Sequence, residues 1–156
     1  VNALKSLLIG LSFAALSSAA AQTAPQTYFG LYTQASSVGG ADVGLGVQGT
    51  YDTDRYALRL GVNVQSILGY TLGFGGDLSV SYPVYGDLRS PVRAAVGAGL
   101  DLSSHNGGAF VFVRPYLSAS AEARIARFST VFVEGSLGYT LGNSISPGVK
   151  LGLNFR

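Results

Sequence analysis

The stretch RYALRLGVNVQSILGYTLGFGGDLSVS, residues 55–81, alternates large apolar side chains with small or polar ones. Tyr56, Leu58, Leu60, Val62 and Val64 share one parity, and Ala57, Arg59, Gly61, Asn63 and Gln65 share the other. After Ile67-Leu68-Gly69 the alternation resumes. Tyr70, Leu72, Phe74, Gly76, Leu78, Val80 and Tyr82 then oppose Thr71, Gly73, Gly75, Asp77, Ser79 and Ser81. Successive side chains of a strand point to opposite faces, so a period of two sustained this long predicts two β-strands joined by a tight hairpin. Both charges inside these strands, Arg59 and Asp77, lie on the face of small residues. The apolar face carries none.

Working outward, the whole chain of 156 residues repeats this pattern in a composition poor in charge. Charged residues are 12% of the total, against about 25% in soluble domains. Glycine (22) and tyrosine (9) are abundant. The absence of cysteine excludes disulfides, thiolate metal sites and an acylated-cysteine anchor. A net charge of +2 gives no basis for a nucleic-acid partner.

Residues 1–21 have the layout of a secretory signal: Lys5, an apolar core from Leu7 to Leu16, and Ala19-Ala20-Ala21 before Gln22. That core is shorter than the roughly 20 residues of a helical span. The expected mature chain is therefore 22–156, exported through the Sec pathway. No helical span follows, so a membrane protein of this sequence must be a barrel.

Eight strand-like runs follow the leader: Tyr28–Ala35, Val43–Asp52, the two runs above, and runs starting near Val92, Val111, Thr130 and Val149. Turn residues separate them: Ser36 to Gly40, Thr53-Asp54, Tyr85 to Pro91, His105 to Gly108, Ile125 to Arg127, and Gly142 to Ser144 with Pro147. Pairing the fifth and sixth runs around Gly107-Gly108 sets Leu102 beside Val113, Leu100 beside Pro115, Ala98 beside Leu117 and Ala94 beside Ala121. The same register opposes Asp101 to Arg114, Arg93 to Glu122, and Gly99 to Tyr116. Around Leu68, a hairpin with the loop Ile67-Leu68-Gly69 opposes Arg59 to Asp77 and Val62 to Phe74. The last hairpin offers no equally clean register.

The charges of the polar face are Arg59, Asp77, Arg93, Asp101, Arg114, Glu122, Glu134 and Lys150, set among Gly, Ala, Ser and the rings of Tyr28, Tyr32, Phe112, Tyr116 and Phe132. A water-facing surface would be denser in charge. Small residues, opposite charges and a few rings fit the crowded interior of a narrow barrel, which places the Val/Leu/Ala face against lipid. Closing the sheet removes its edges, as a bilayer demands. An even strand count puts both termini at one end, the periplasmic end of an exported barrel. Phe29, Tyr51, Tyr56, Tyr82 and Phe155 then form an aromatic girdle near that end, with Tyr70 and Tyr139 near the other.

On pattern, strand count and an aromatic last strand, Tyr28 to Arg156 resembles the small OmpA/OmpX-type eight-stranded outer-membrane proteins. The resemblance implies an all-β fold, a closed antiparallel up-and-down transmembrane barrel of eight strands, in the cell outer membrane. It also implies outer-membrane lipid, periplasmic chaperones and the barrel-assembly machinery as partners, the last through the C-terminal strand. In that family the final residue is usually Phe; here Phe155 is followed by Arg156. A monomer is expected, with short outward loops and no peptidoglycan-binding domain after the barrel.

A lumen of about eight strands is just wide enough for side chains to fill. The polar-face charges therefore read as a salt-bridge plug in a structural envelope protein without turnover, cofactor or metal. The rival reading is a narrow pore for ions or small solutes through the same groups. A third is a barrel acyl-chain hydrolase using His105, the single histidine, with Ser103 and Asp101. Residues two apart on one strand do not readily assemble nucleophile, base and orienting acid, and His105 beside Asn106-Gly107-Gly108 reads as a solvated loop residue. Gly44-x-Gly46, Gly73-x-Gly75 and Gly97-x-Gly99 precede no helix and are strand glycines, not a phosphate loop.

Overall fold

The computed structural model describes residues 24–37, 41–67, 71–105, 110–140 and 145–156. The signal-like residues 1–21 lie outside this set. Eight strands follow in order: β1 (Gln26–Ser36), β2 (Asp42–Asp52), β3 (Ala57–Ile67), β4 (Thr71–Tyr85), β5 (Val92–His105), β6 (Phe110–Ala126), β7 (Ser129–Tyr139) and β8 (Ile145–Phe155). Each pairs antiparallel with the next, and β8 returns to β1 from Phe29↔Phe155 to Ser36↔Gly148, closing the barrel.

Parity builds the wall. Along β2, Asp42, Gly44, Gln48, Thr50 and Asp52 are buried, while Val43, Leu45, Val47 and Tyr51 are exposed. The buried rings are Tyr28, Tyr32, Tyr116 and Phe132, all in the lumen. The outward face is a continuous apolar surface, on which Leu117 keeps 69% of its area open. In water such a surface would drive aggregation; against hydrocarbon it costs nothing.

The β5–β6 register is the expected one throughout, including Asp101↔Arg114, Arg93↔Glu122 and Gly99↔Tyr116. The β3–β4 register differs. Arg59 stands opposite Ser79, Asp77 opposite Gly61, and Val62 opposite Gly76, with Ile67↔Thr71 as the last pair. The connection is thus residues 68–70, one residue later than expected, and the partner of each position moves by two. A shift of two preserves which face every side chain takes, so the alternation alone does not select between the two registers.

Pro147 also belongs to a strand and not to the last turn. It sits in β8 opposite Leu137, and its carbonyl accepts the N–H of Ser37 at 3.2 Å. The N and C=O of a strand residue point to the same neighbour. The missing N–H of Pro147 therefore faces β1 just past the last pair of their ladder, where it removes only the reciprocal bond to Ser37.

Both described chain ends, with the turns 53–56, 86–91 and 127–128, lie at one end of the barrel, the terminal end. The strand ends joined by 37–41, 68–70, 106–109 and 140–144 lie at the other, the loop end.

Candidate functional site: the charged lumen

Apart from Asp42, buried at the loop-end start of β2, the inward charges fall into three groups along the axis. At the terminal end the Asp52 carboxylate receives Arg93 at 2.5 Å and the Tyr28 hydroxyl at 2.9 Å. Arg156 binds Glu122 at 2.6 Å, lies 3.9 Å from Asp52, and covers the Tyr28 ring at 4.8 Å. Thr130 donates to Glu122 at 2.5 Å.

In the middle, Arg59 crosses the lumen to Glu134 at 2.7 Å and stacks over Phe132 at 5.2 Å. Lys150 meets Asp77 at 2.9 Å and lies 4.0 Å from Glu134. Its ammonium is also 5.3 Å and 5.7 Å from the ring centres of Tyr32 and Tyr116. Both phenols donate to Asp77, at 3.4 and 3.3 Å. These rings fit because glycines face them: a Cβ at Gly46 or Gly99 would run into Tyr32 or Tyr116.

Toward the loop end, Arg114 pairs with Asp101 at 2.5 Å. Its remaining donors reach Ser146 Oγ at 2.8 Å, the Ser146 carbonyl at 2.9 Å and Ser136 Oγ at 3.0 Å. Gly138 leaves the space the guanidinium occupies.

All eight charges read from the sequence face the lumen. Asp101 and Arg114 meet as expected. Arg59 does not reach Asp77, and Arg93, though opposite Glu122 in register, turns to Asp52 instead. In a closed narrow barrel a long side chain spans the interior, so the strand across the lumen competes with the strand alongside. Asp52 at the end of β2 and Arg156 just after β8, both absent from the polar-face set read from the sequence, complete the terminal group. Parity would have found them: Asp52 continues Gln48 and Thr50, and Arg156 continues Gly152 and Asn154.

Leu88 is a second addition. The polar connection 86–91 folds under the barrel mouth, burying Leu88 to 2% exposure, and its carbonyl accepts Arg124 at 3.0 Å and Arg156 at 3.2 Å. Gly86, at φ 73°, makes the left-handed bend that starts this turn. Asp87 holds it by accepting the N–H groups of Arg89 and Ser90, both at 2.8 Å, and the Ser90 hydroxyl at 3.0 Å. Those bonds, that of Arg89 foremost, keep the Asp87 carboxyl below the ordinary carboxylate range.

Among the girdle positions, Phe29, Tyr51, Tyr56 and Tyr82 are exposed at the terminal end and Tyr139 at the loop end. Phe155 stacks on Phe29 with centroids 5.2 Å apart. Tyr70 lies outside the described residues. Tyr85 and Phe128 add two exposed rings at the terminal end.

Of the candidate hydrolytic set, Ser103 and Asp101 both face the lumen from β5, with Asp101 bound to Arg114. The backbone of His105 ends β5 opposite Gly73 and Phe110; its side chain lies outside the described residues. Among the described residues no cluster of His, Asp and Glu is placed to hold a metal ion.

No family model matches the chain, and no curated protein matches it by sequence. Solved structures do. The neisserial surface protein A (NspA) matches with a TM-score of 0.61 and 12% identity, over 87% of this chain and 99% of that one. The N-terminal β-barrel domain of Pseudomonas aeruginosa OprF matches with a TM-score of 0.60 and 17% identity, over 84% and 99%. The chain has the fold of the small OmpA/OmpX-type outer-membrane barrels. This barrel fold also carries catalysis: the outer membrane enzyme PagL matches with a TM-score of 0.55 and 14% identity, over 83% and 99%. At these identities the likeness is one of fold.

Proposed function

We propose that this chain is an integral outer-membrane barrel with a structural role in the envelope, its lumen plugged by ion pairs and without catalytic turnover. The observation that carries the reading is charge pairing. Arg93 and Arg156 face Asp52 and Glu122, Arg59 and Lys150 face Asp77 and Glu134, and Arg114 faces Asp101, each basic group within 3 Å of a carboxylate. A conducting path is lined by groups of one sign or by water. Here opposite charges neutralise one another, and rings and Leu88 fill the remaining space.

In this reading the chain is exported through the Sec pathway and handed by periplasmic chaperones to the barrel-assembly machinery. The machinery engages β8, and the terminal end is left in the periplasm of a monomeric barrel. Planar-bilayer recording of the purified, folded protein tests the plug: no steady conductance is expected, and a stable open level would establish the narrow pore instead. Because the fold is shared with an outer membrane enzyme, the acyl-chain hydrolase reading of His105, Ser103 and Asp101 is the second to test. Activity abolished by His105→Ala would replace the structural role with an enzymatic one.

A further inference from the structure

The basic groups within the lumen and at its terminal rim differ in one respect. Inside, each has a carboxylate. At the terminal rim, Arg89, Arg124 and Arg127 are exposed and form no ion pair among the described residues, Arg124 at the edge of the mouth that Arg93, Glu122 and Arg156 also line. The nearest carboxylate in sequence, Asp87, is committed to the turn by Arg89 N–H and Ser90.

The three arginines belong to adjoining structure. Arg124 N–H binds the Pro91 carbonyl at 2.8 Å and its guanidinium binds the Leu88 carbonyl, so the end of β6 is stitched to the turn that carries Arg89. Arg127 follows in the next turn, its guanidinium 5.2 Å above the ring of Phe128. That ring is 61% exposed, the side chain of Ile125 is exposed in the same region of the chain, and Tyr82 and Tyr85 are exposed on β4. A guanidinium mounted on a lipid-facing ring stands where acyl chains give way to phosphodiesters. Planar guanidinium groups bind phosphate oxygens through paired N–H donors.

We propose that Arg89, Arg124 and Arg127 form a binding surface for anionic phospholipid headgroups at the terminal end of the barrel. The proposal rests on the barrel spanning a bilayer. The loop end supplies no counterpart, since residues 37–41, 68–70, 106–109 and 140–144 contain no Lys or Arg.

The test uses the full chain folded into phosphatidylcholine vesicles, with insertion checked by the shift in gel mobility on boiling. Trace spin-labelled phosphatidylglycerol and phosphatidylcholine report relative association with the barrel. A preference for phosphatidylglycerol of roughly fivefold is expected, the fold-change of about 1 kcal/mol for one engaged arginine, weakening as salt is raised. Arg89→Gln/Arg124→Gln/Arg127→Gln should abolish it. Arg89→Gln/Arg127→Gln, which keeps the Arg124 bond to Leu88, should lower it with folding intact. Inorganic phosphate at matched ionic strength should leave it unchanged. Equal association of the two lipids with the inserted wild-type barrel overturns the proposal, as does full selectivity in the double variant or displacement by phosphate. Failure to insert at all would count instead against the membrane-spanning reading.

Discussion

At the terminal end the turns carry Asp54, Arg55, Asp87, Arg89 and Arg127, and exposed rings of Phe29, Tyr51, Tyr56, Tyr82, Tyr85 and Phe128 surround them. At the loop end the connections 37–41, 68–70, 106–109 and 140–144 carry no Asp, Glu, Lys or Arg, and Tyr139 is an exposed ring of the wall there. The interior is closed at both ends, with Arg114 and Asp42 as enclosed toward the loop end as Arg93 is at the terminal end, and the carboxylates Asp52 and Asp101 are what differ. The Asp52 side chain at the terminal end is fully buried, whereas that of Asp101 toward the loop end keeps 23% of its area open. The terminal end therefore carries charge both within the lumen and in its turns. Its polar chemistry is divided between an inner set of closed ion pairs and an outer rim of arginines.

Breaking the inner set at each end should give unequal losses. Asp52→Ala leaves Arg93 only the Thr53 carbonyl and takes the acceptor from the Tyr28 hydroxyl, and is expected to cost about 3–5 kcal/mol. Asp101→Ala leaves Arg114 bound to Ser136 and Ser146 and should cost about 1–3 kcal/mol. Urea unfolding of the vesicle-inserted barrel measures both, and equal losses would erase the difference between the ends.

The stopper is the next largest effect. Leu88→Ala should destabilise by about 2–4 kcal/mol, because it empties a packed site under the barrel mouth. A change within about 0.5 kcal/mol in the same urea assay would mean that the turn does not pack there.

The smallest effect concerns pH. With its folded value lowered, Asp87 contributes stability that is present above its unfolded pKa of about 3.9 and is lost as pH falls through the lower folded value. Asp87→Asn should flatten the fall in stability below about pH 4. The connections of the loop end contain no carboxylate and can add no such step. Parallel curves for variant and wild type would remove Asp87 from the account of the turn.

What the sequence disclosed, and what it withheld, follows the same physics. Parity is set by the strand itself, so the inward direction of Arg59, Asp77, Arg93, Asp101, Arg114, Glu122, Glu134 and Lys150 was legible from alternation alone. The β5–β6 register was legible because Asp101 with Arg114 and Gly99 with Tyr116 are satisfied together by one alignment. The β3–β4 register was not, because two alignments two residues apart bury the same face. Pairings across the lumen, Arg59 to Glu134 and Arg93 to Asp52, depend on closure of the whole sheet and have no local signal. Leu88 lies in a turn without periodicity, so nothing in its neighbours distinguishes a buried leucine from an exposed one.

The most direct test of which face meets lipid uses the natural absence of cysteine, which lets a single label be placed anywhere. Spin labels at Leu60→Cys, Val96→Cys and Leu137→Cys, and at the lumen position Ser79→Cys, are read in vesicles with oxygen as lipid-soluble relaxant and a nickel chelate as water-soluble one. The account predicts that the three outward labels are relaxed by oxygen and ignored by nickel, while the label at position 79 is screened from both. Outward labels screened from oxygen, or relaxed chiefly by nickel, would contradict it.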